Sequence, residues 1–139
     1  MNVVSNEDAN PKSKTGLDEI KNLADREKIN VVLEHELKIE PTAAEYTYAI
    51  KKLDESTCRL TVILITATEV AADLLLEADT MEFNGEFVLW DVANNVHSYL
   101  GYYHPERVDS VMQGTFALAI FTGYGTERFV SVACAHDKL

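Results

Sequence analysis

Between Leu33 and Glu40 apolar and charged positions alternate strictly, with Leu33, His35, Leu37 and Ile39 set against Glu34, Glu36, Lys38 and Glu40. A period of two puts one face in a core and the other in water, so a strand is predicted here, closed by Pro41, which cannot continue a ladder. Tyr46, Tyr48 and Ile50 alternate with Thr47, Ala49 and Lys51 and predict a second strand, followed by turn chemistry at Asp54, Glu55 and Ser56. From Leu60 to Ile65 the chain is apolar on both sides and rich in β-branched residues. That composition suits a central strand covered on both faces.

Other segments carry a helical period or carry both. Thr15 with Asp18 three residues later approximates a capping box, and Leu17, Ile20 and Ala24 then recur at helical spacing, which predicts a helix from about Gly16 to Lys28. Val70, Leu74 and Leu75 fit one helical face, whereas Leu74, Leu76 and Ala78 also alternate with Glu77 and Asp79. Asn84 and Gly85 decide for strand, because this pair is the commonest two-residue hairpin turn, and Phe87 to Asp91 becomes the returning strand. Asp91 is placed to cap a helix running to Leu100 and ended by Gly101, and Pro105 opens another that keeps Val108, Val111, Met112 and Thr115 in register. Phe116 to Phe121 is either the end of that helix or a buried strand, Gly123 to Gly125 is a turn, and Phe129 to Cys134 reads as a last strand. The expected fold class is α+β: an antiparallel sheet of four to six strands with an N-terminal helix and one or two helices packed on one face. Residues 1–14 have too little apolar content to repay their ordering and are expected as a disordered arm, with residues 15–139 forming a single domain.

Composition narrows the function classes. The chain has 139 residues, 47% of them hydrophobic, and a formal net charge of −11. An excess of carboxylates argues against direct binding to nucleic acid or to an anionic membrane, since phosphate neutralisation needs clustered cations. No apolar stretch approaches the roughly 20 residues of a bilayer span, and the polar start lacks the pattern of a secretory signal, so a cytoplasmic protein is expected. Cys58 and Cys134 suggest neither a disulfide framework nor a zinc knuckle and read as reduced core thiols.

No arrangement of chemical groups points to a cofactor or metal. His97 and His104 are seven apart across Gly101, and Cys134 and His136 two apart, neither a ligand spacing. His35, on the apolar face of its strand, reads as a hydrogen-bonded core histidine, with a catalytic base or a pH switch as the alternatives. The unusual feature is charge. Between Arg59 and Arg107 there is no Lys or Arg, while Glu69, Asp73, Glu77, Asp79, Glu82, Glu86, Asp91 and Glu106 all fall there. If Glu77 and Asp79 share a strand face and Glu82 and Glu86 flank the hairpin turn, a coherent negative field results, either a solubilising face or a docking surface for a basic partner or an imitation of a phosphate backbone. Trp90, Tyr99, Tyr102 and Tyr103 form a neighbouring aromatic concentration, with Tyr124 further along the chain, which suits either an interface or core packing. Candidate partner-binding residues are therefore Glu77, Asp79, Glu82, Glu86, Trp90, Tyr99, Tyr102 and Tyr103.

The order of two alternating strands, the apolar strand Leu60 to Ile65, the returning strand Phe87 to Leu89 and then helical material resembles the SecB export chaperone family over about residues 30–135. That family's aromatic and proline segment has its counterpart in Tyr102, Tyr103, His104 and Pro105, and Gly114 departs from its long helix. The resemblance implies an oligomeric holdase with grooves for unfolded chains and assigns no functional residue. The function expected is thus a non-catalytic acidic protein-binding module, a chaperone or adaptor acting as a homo-oligomer on a protein or unfolded polypeptide. An acidic inhibitor mimicking nucleic acid, of the counter-defence type, and a small enzyme using His35 or His97 are the alternatives.

Overall fold

The computed structural model describes residues 1–7, 12–90, 92–120 and 130–134. Six strands form one sheet: β1 (Asn2–Asn6), β2 (Leu33–Leu37), β3 (Leu60–Leu64), β4 (Glu86–Trp90), β5 (Thr115–Ile120) and β6 (Val130–Cys134), in the spatial order β2-β1-β3-β4-β5-β6. The first five are parallel and β6 runs antiparallel to β5. Helix α1 (Lys12–Arg26) joins β1 to β2, α2 (Ala43–Glu55) joins β2 to β3, and α3 (Thr68–Thr80) joins β3 to β4. Between β4 and β5 lie α4 (Ala93–Tyr103), a 3₁₀ turn at Pro105–Arg107 and α5 (Val108–Met112). The fold is α/β with crossover helices, which overturns the antiparallel α+β sheet expected from sequence.

Three local readings account for the difference. Asn2–Asn6, expected within a disordered arm, is β1, paired on both sides by β2 and β3, with Val3 and Val4 fully buried. Polar composition does not keep it out of the sheet, because its amides find partners: Asn2 Nδ2 donates to the Cys58 carbonyl at 2.8 Å, and Ser56 Oγ donates to Asn2 Oδ1 at 2.7 Å. The second predicted strand, Tyr46 to Lys51, is helical and lies in α2. Tyr46, Ala49, Ile50 and Leu53 make its buried stripe, so Ala49 belongs to the apolar face and Tyr48 to the exposed one. One of the two alternating strands that the export-chaperone resemblance uses is thereby a helix. Thr42 starts it with a full capping box, the Glu45 N–H donating to Thr42 Oγ1 and the Thr42 N–H to the Glu45 carboxylate. Lys38, 2.8 Å from Glu45, joins that backbone bond in pulling the carboxyl down to about 2.

Val70 to Met81 is the third case and is helix α3, not strand, burying Val70, Ala71, Leu74, Leu75 and Ala78. Neither Asn84 nor Gly85 takes the positive φ that a type I′ hairpin needs; together they carry the chain from α3 into the parallel strand β4. Gly85 answers a packing demand instead, since a Cβ there would lie 2.9 Å from the Arg59 carbonyl oxygen and run into the Phe83 ring. α1 and α3 both end in Schellman motifs with a side-chain-bearing residue in the left-handed position. Lys28 (φ 57°) lets the Ile29 N–H reach the Ala24 carbonyl at 2.7 Å, and Glu82 (φ 53°) lets the Phe83 N–H reach the Ala78 carbonyl at 2.9 Å.

Elsewhere the elements follow the pattern more closely. Leu33–Leu37 and Leu60–Leu64 are strands, although Ile39, expected in the core, is 53% exposed beyond the end of β2. Gly101 lies inside α4, which continues to Tyr103. Thr115–Ile120 settles the apolar block as strand. Asp91, Phe121, Gly123, Tyr124, Gly125 and His136 lie outside the described residues.

The core has two layers. On one side of the sheet α2, α3, α4 and α5 pack over Val4, Ile63, Phe87 and Leu89. On the other, Leu17 and Ile20 of α1 pack over Val3, Val62 and Leu64. β2 branches to one side of β1 and β3 to the other, so the strand order reverses between β1 and β3. Crossover connections of one hand then place α1 on the face opposite α2, α3 and α4.

Candidate functional site

In a doubly wound sheet the carboxyl ends of the strands at the reversal form the natural crevice. Asn6 and Thr66 stand there, and buried Ser5 Oγ in β1 has no hydrogen-bond partner among the described residues. The connection after β1, residues 8–11, lies outside the described residues.

A second feature is complete, the outward surface of α3 and α4. Tyr99 and Tyr103 are one helical turn apart on α4, with ring centroids 4.6 Å apart, and Tyr102 meets Tyr103 edge-on at 4.8 Å. Tyr102 is 79% and Tyr103 59% exposed, while Tyr99 is part-buried against the α2–α5 core. Glu69 and Asp73 lie one turn apart on the neighbouring helix α3. Asp73 is part-buried and makes no hydrogen bond or ion pair among the described residues. Burial pushes its carboxyl above the usual range, His104 opposes that shift, and Glu69 adds to it. The Tyr99 hydroxyl is raised by burial and then by the charges of Asp73 and Glu69. Tyr46 of α2, buried behind them, is pushed up to about 12 by burial, with Asp73 and Tyr99 next in weight. Asp73 is thus within electrostatic reach of phenols on two other helices and of the Glu69 carboxylate.

The eight residues expected to form a docking surface are distributed differently. Tyr99, Tyr102 and Tyr103 do come together. Glu77 and Asp79 cannot share a face as they would on a strand, since two residues in a helix turn about 200°. Glu77 accepts a hydrogen bond from Thr47 Oγ1 of α2 at 2.7 Å. Asp79 is held by Arg107 at 2.8 Å, and the same guanidinium donates to the Leu76 carbonyl and Thr80 Oγ1. The cation-free segment therefore receives a cation from just beyond its end. Glu82 follows the α3 C-cap Met81 in the left-handed position, and Glu86 begins β4; neither flanks a hairpin. Trp90 alternates with the inward Leu89 and shares the side of Val88, which packs with α1, so the sheet separates it from the tyrosines. Asp73, Glu69, Tyr46 and His104 were not among the expected site residues. Their signal is the four-residue spacing of Glu69 with Asp73 and of Tyr99 with Tyr103, readable once α3 is taken as a helix.

Other candidate groups make less of a constellation. The half-buried His35 ring lies 5.8 Å from the Tyr48 ring, and its pKa is lowered by burial and then by Lys52; His97 is exposed on α4. The Cys58 thiol is part-buried and lowered chiefly by a backbone hydrogen bond at Leu60, beside a hollow of about 150 Å³ that includes Arg59 and Asn84. A wider hollow of about 410 Å³ lies at the amino end of β4, bordered by Asp79, Glu82, Gly85 and Ser110. Among the described residues no three His, Cys, Asp or Glu side chains converge as a metal site, and no helix is long and apolar enough to cross a membrane.

No protein-family model matches the chain, and no curated protein matches it significantly.

Proposed function

We propose that this chain is a protein-binding module that docks a basic polypeptide on the α3–α4 face, without chemistry of its own. The observation that carries the reading is the exposed pair Tyr102 and Tyr103 on α4, in ring contact with Tyr99, whose hydroxyl feels the charges of Asp73 and Glu69, with no ion pair to either acid among the described residues. Tyrosine brings a large amphipathic contact area at the cost of few rotamers, and rings of this kind recur at the energetic centres of interfaces. The surrounding negative field, part of a net charge of −11, draws a cationic partner in and discriminates against an anionic one.

The test is affinity purification from the native cell followed by amide hydrogen exchange of the recovered complex. Protection is expected over residues 68–80 and 93–107, and the complex is expected to weaken as salt rises. Protection confined to α1, or a complex indifferent to salt, refutes the reading.

A further inference from the structure

We propose that Asp73, Tyr99 and Tyr103 form an anchor notch that seats one cationic side chain, an arginine or lysine, of the docked polypeptide; this rests on the protein-binding reading above.

Four observations lead to it. Asp73 is held in a part-buried position by α3 and has neither hydrogen bond nor ion pair among the described residues, although every other carboxylate of comparable burial on α3 is used. Glu77 takes the Thr47 hydroxyl, and Asp79 takes Arg107. A desolvated carboxylate left without a donor is costly unless something brings one. The second is the aromatic wall: Tyr99 and Tyr103 stand side by side on α4 with 4.6 Å between ring centres, and ring faces attract cations. The third is the sign of the neighbourhood. Glu69 lies one turn away on α3, and among the described residues no Lys or Arg forms an ion pair with either acid. The fourth is that Tyr99, raised first by burial, is raised further by the charges of Asp73 and Glu69, which puts both carboxylates within electrostatic reach of the ring that Tyr103 meets.

A lysine ammonium or arginine guanidinium placed here satisfies the carboxylate, lies against tyrosine rings and is partly shielded from water, three effects that reinforce one another. An anionic or purely apolar side chain gains none of the first two. Among cations the guanidinium fits better, because its plane stacks on a ring while its edge donates two hydrogen bonds to one carboxylate.

The experiment uses the full chain and a fluorescein-labelled twelve-residue peptide with four arginines separated by glycine and serine, read by fluorescence anisotropy near physiological salt. Asp73→Asn and Tyr103→Ala are compared with Glu36→Gln, which removes one exposed charge on β2. Both notch variants are expected to weaken binding about tenfold, and Glu36→Gln less than about twofold. Tyr103 is 59% exposed, so its truncation leaves the fold intact, which the melting temperature verifies. Equal, small losses for Asp73→Asn, Tyr103→Ala and Glu36→Gln overturn the notch while leaving a diffuse acidic docking face standing. No binding by the unaltered chain to the arginine peptide, or to its lysine counterpart, overturns both.

Discussion

Replacing Val4 by alanine distinguishes the observed fold from the one that hydrophobic pattern predicts. Val4 has no exposure, sits in the middle of β1 and packs into the core beneath α2 and α3. Removing two buried methyl-sized groups forfeits about 0.8 kcal/mol each in transfer, and the cavity left in a sheet flanked by two strands adds to it, for about 2.5 kcal/mol. With an unfolding entropy of about 2.1 cal/mol/K per residue over 139 residues, that corresponds to a fall in melting temperature of about 9 °C. The control is Ile39→Ala. Alternation places Ile39 in the core and Val4 in a loose arm, whereas the structure leaves Ile39 53% exposed and Val4 buried. The expected cost for Ile39→Ala is below about 0.5 kcal/mol. Urea denaturation followed by circular dichroism gives both values, provided the slopes agree between variants. A Val4→Ala cost equal to or smaller than that of Ile39→Ala refutes the central placement of β1 and, with it, the parallel topology.

Two further measurements follow from the caps and from His35. Lys28 and Glu82 occupy left-handed positions that glycine adopts freely. Glu82→Gly and Lys28→Gly are therefore each expected to raise stability, by about 0.5–1 kcal/mol in urea denaturation, and a loss at both sites contradicts the Schellman assignment. His35 titrates below its ordinary 6.5 because burial, and then Lys52, disfavour the imidazolium. Its folded pKa being depressed, the unfolded chain binds the proton first, so its contribution is fully present above about 6.5 and is lost as pH falls from there through the folded value. The measured slope of stability against pH between about 7.5 and 5.5 is expected to flatten in His35→Gln; an unchanged slope excludes His35 as its source.

The sequence alone determined those features that depend on one residue and its close neighbours. Leu33 to Leu37 alternates and is a strand; Leu60 to Leu64 is apolar on both faces and is central in the sheet; Leu17, Ile20 and Ala24 keep helical spacing and form α1. The tyrosines of α4 were legible for the same reason, since 99, 102 and 103 share one side of any helix. Where alanine could count as either face, as at Ala49 and Ala78, the two periods tied, and local pattern could not choose between strand and helix. The usual glycine stop was no help for α3, because Glu82 takes the left-handed position and the Asn84–Gly85 pair follows as a misleading hairpin signal.

What only tertiary structure decided was pairing. β1 is a strand because β2 and β3 flank it and its asparagine amides meet partners from a distant loop, a stabilisation invisible in five mostly polar residues. Parallel pairing in turn fixed which carboxylates became neighbours. It turned Trp90 away from the tyrosines, gave Asp79 to Arg107, and left Asp73 within electrostatic reach of phenols on two other helices. Charge count is additive along a chain, but the field at a surface depends on distances that crossover connections set, and those follow from the burial of whole helices on a shared sheet.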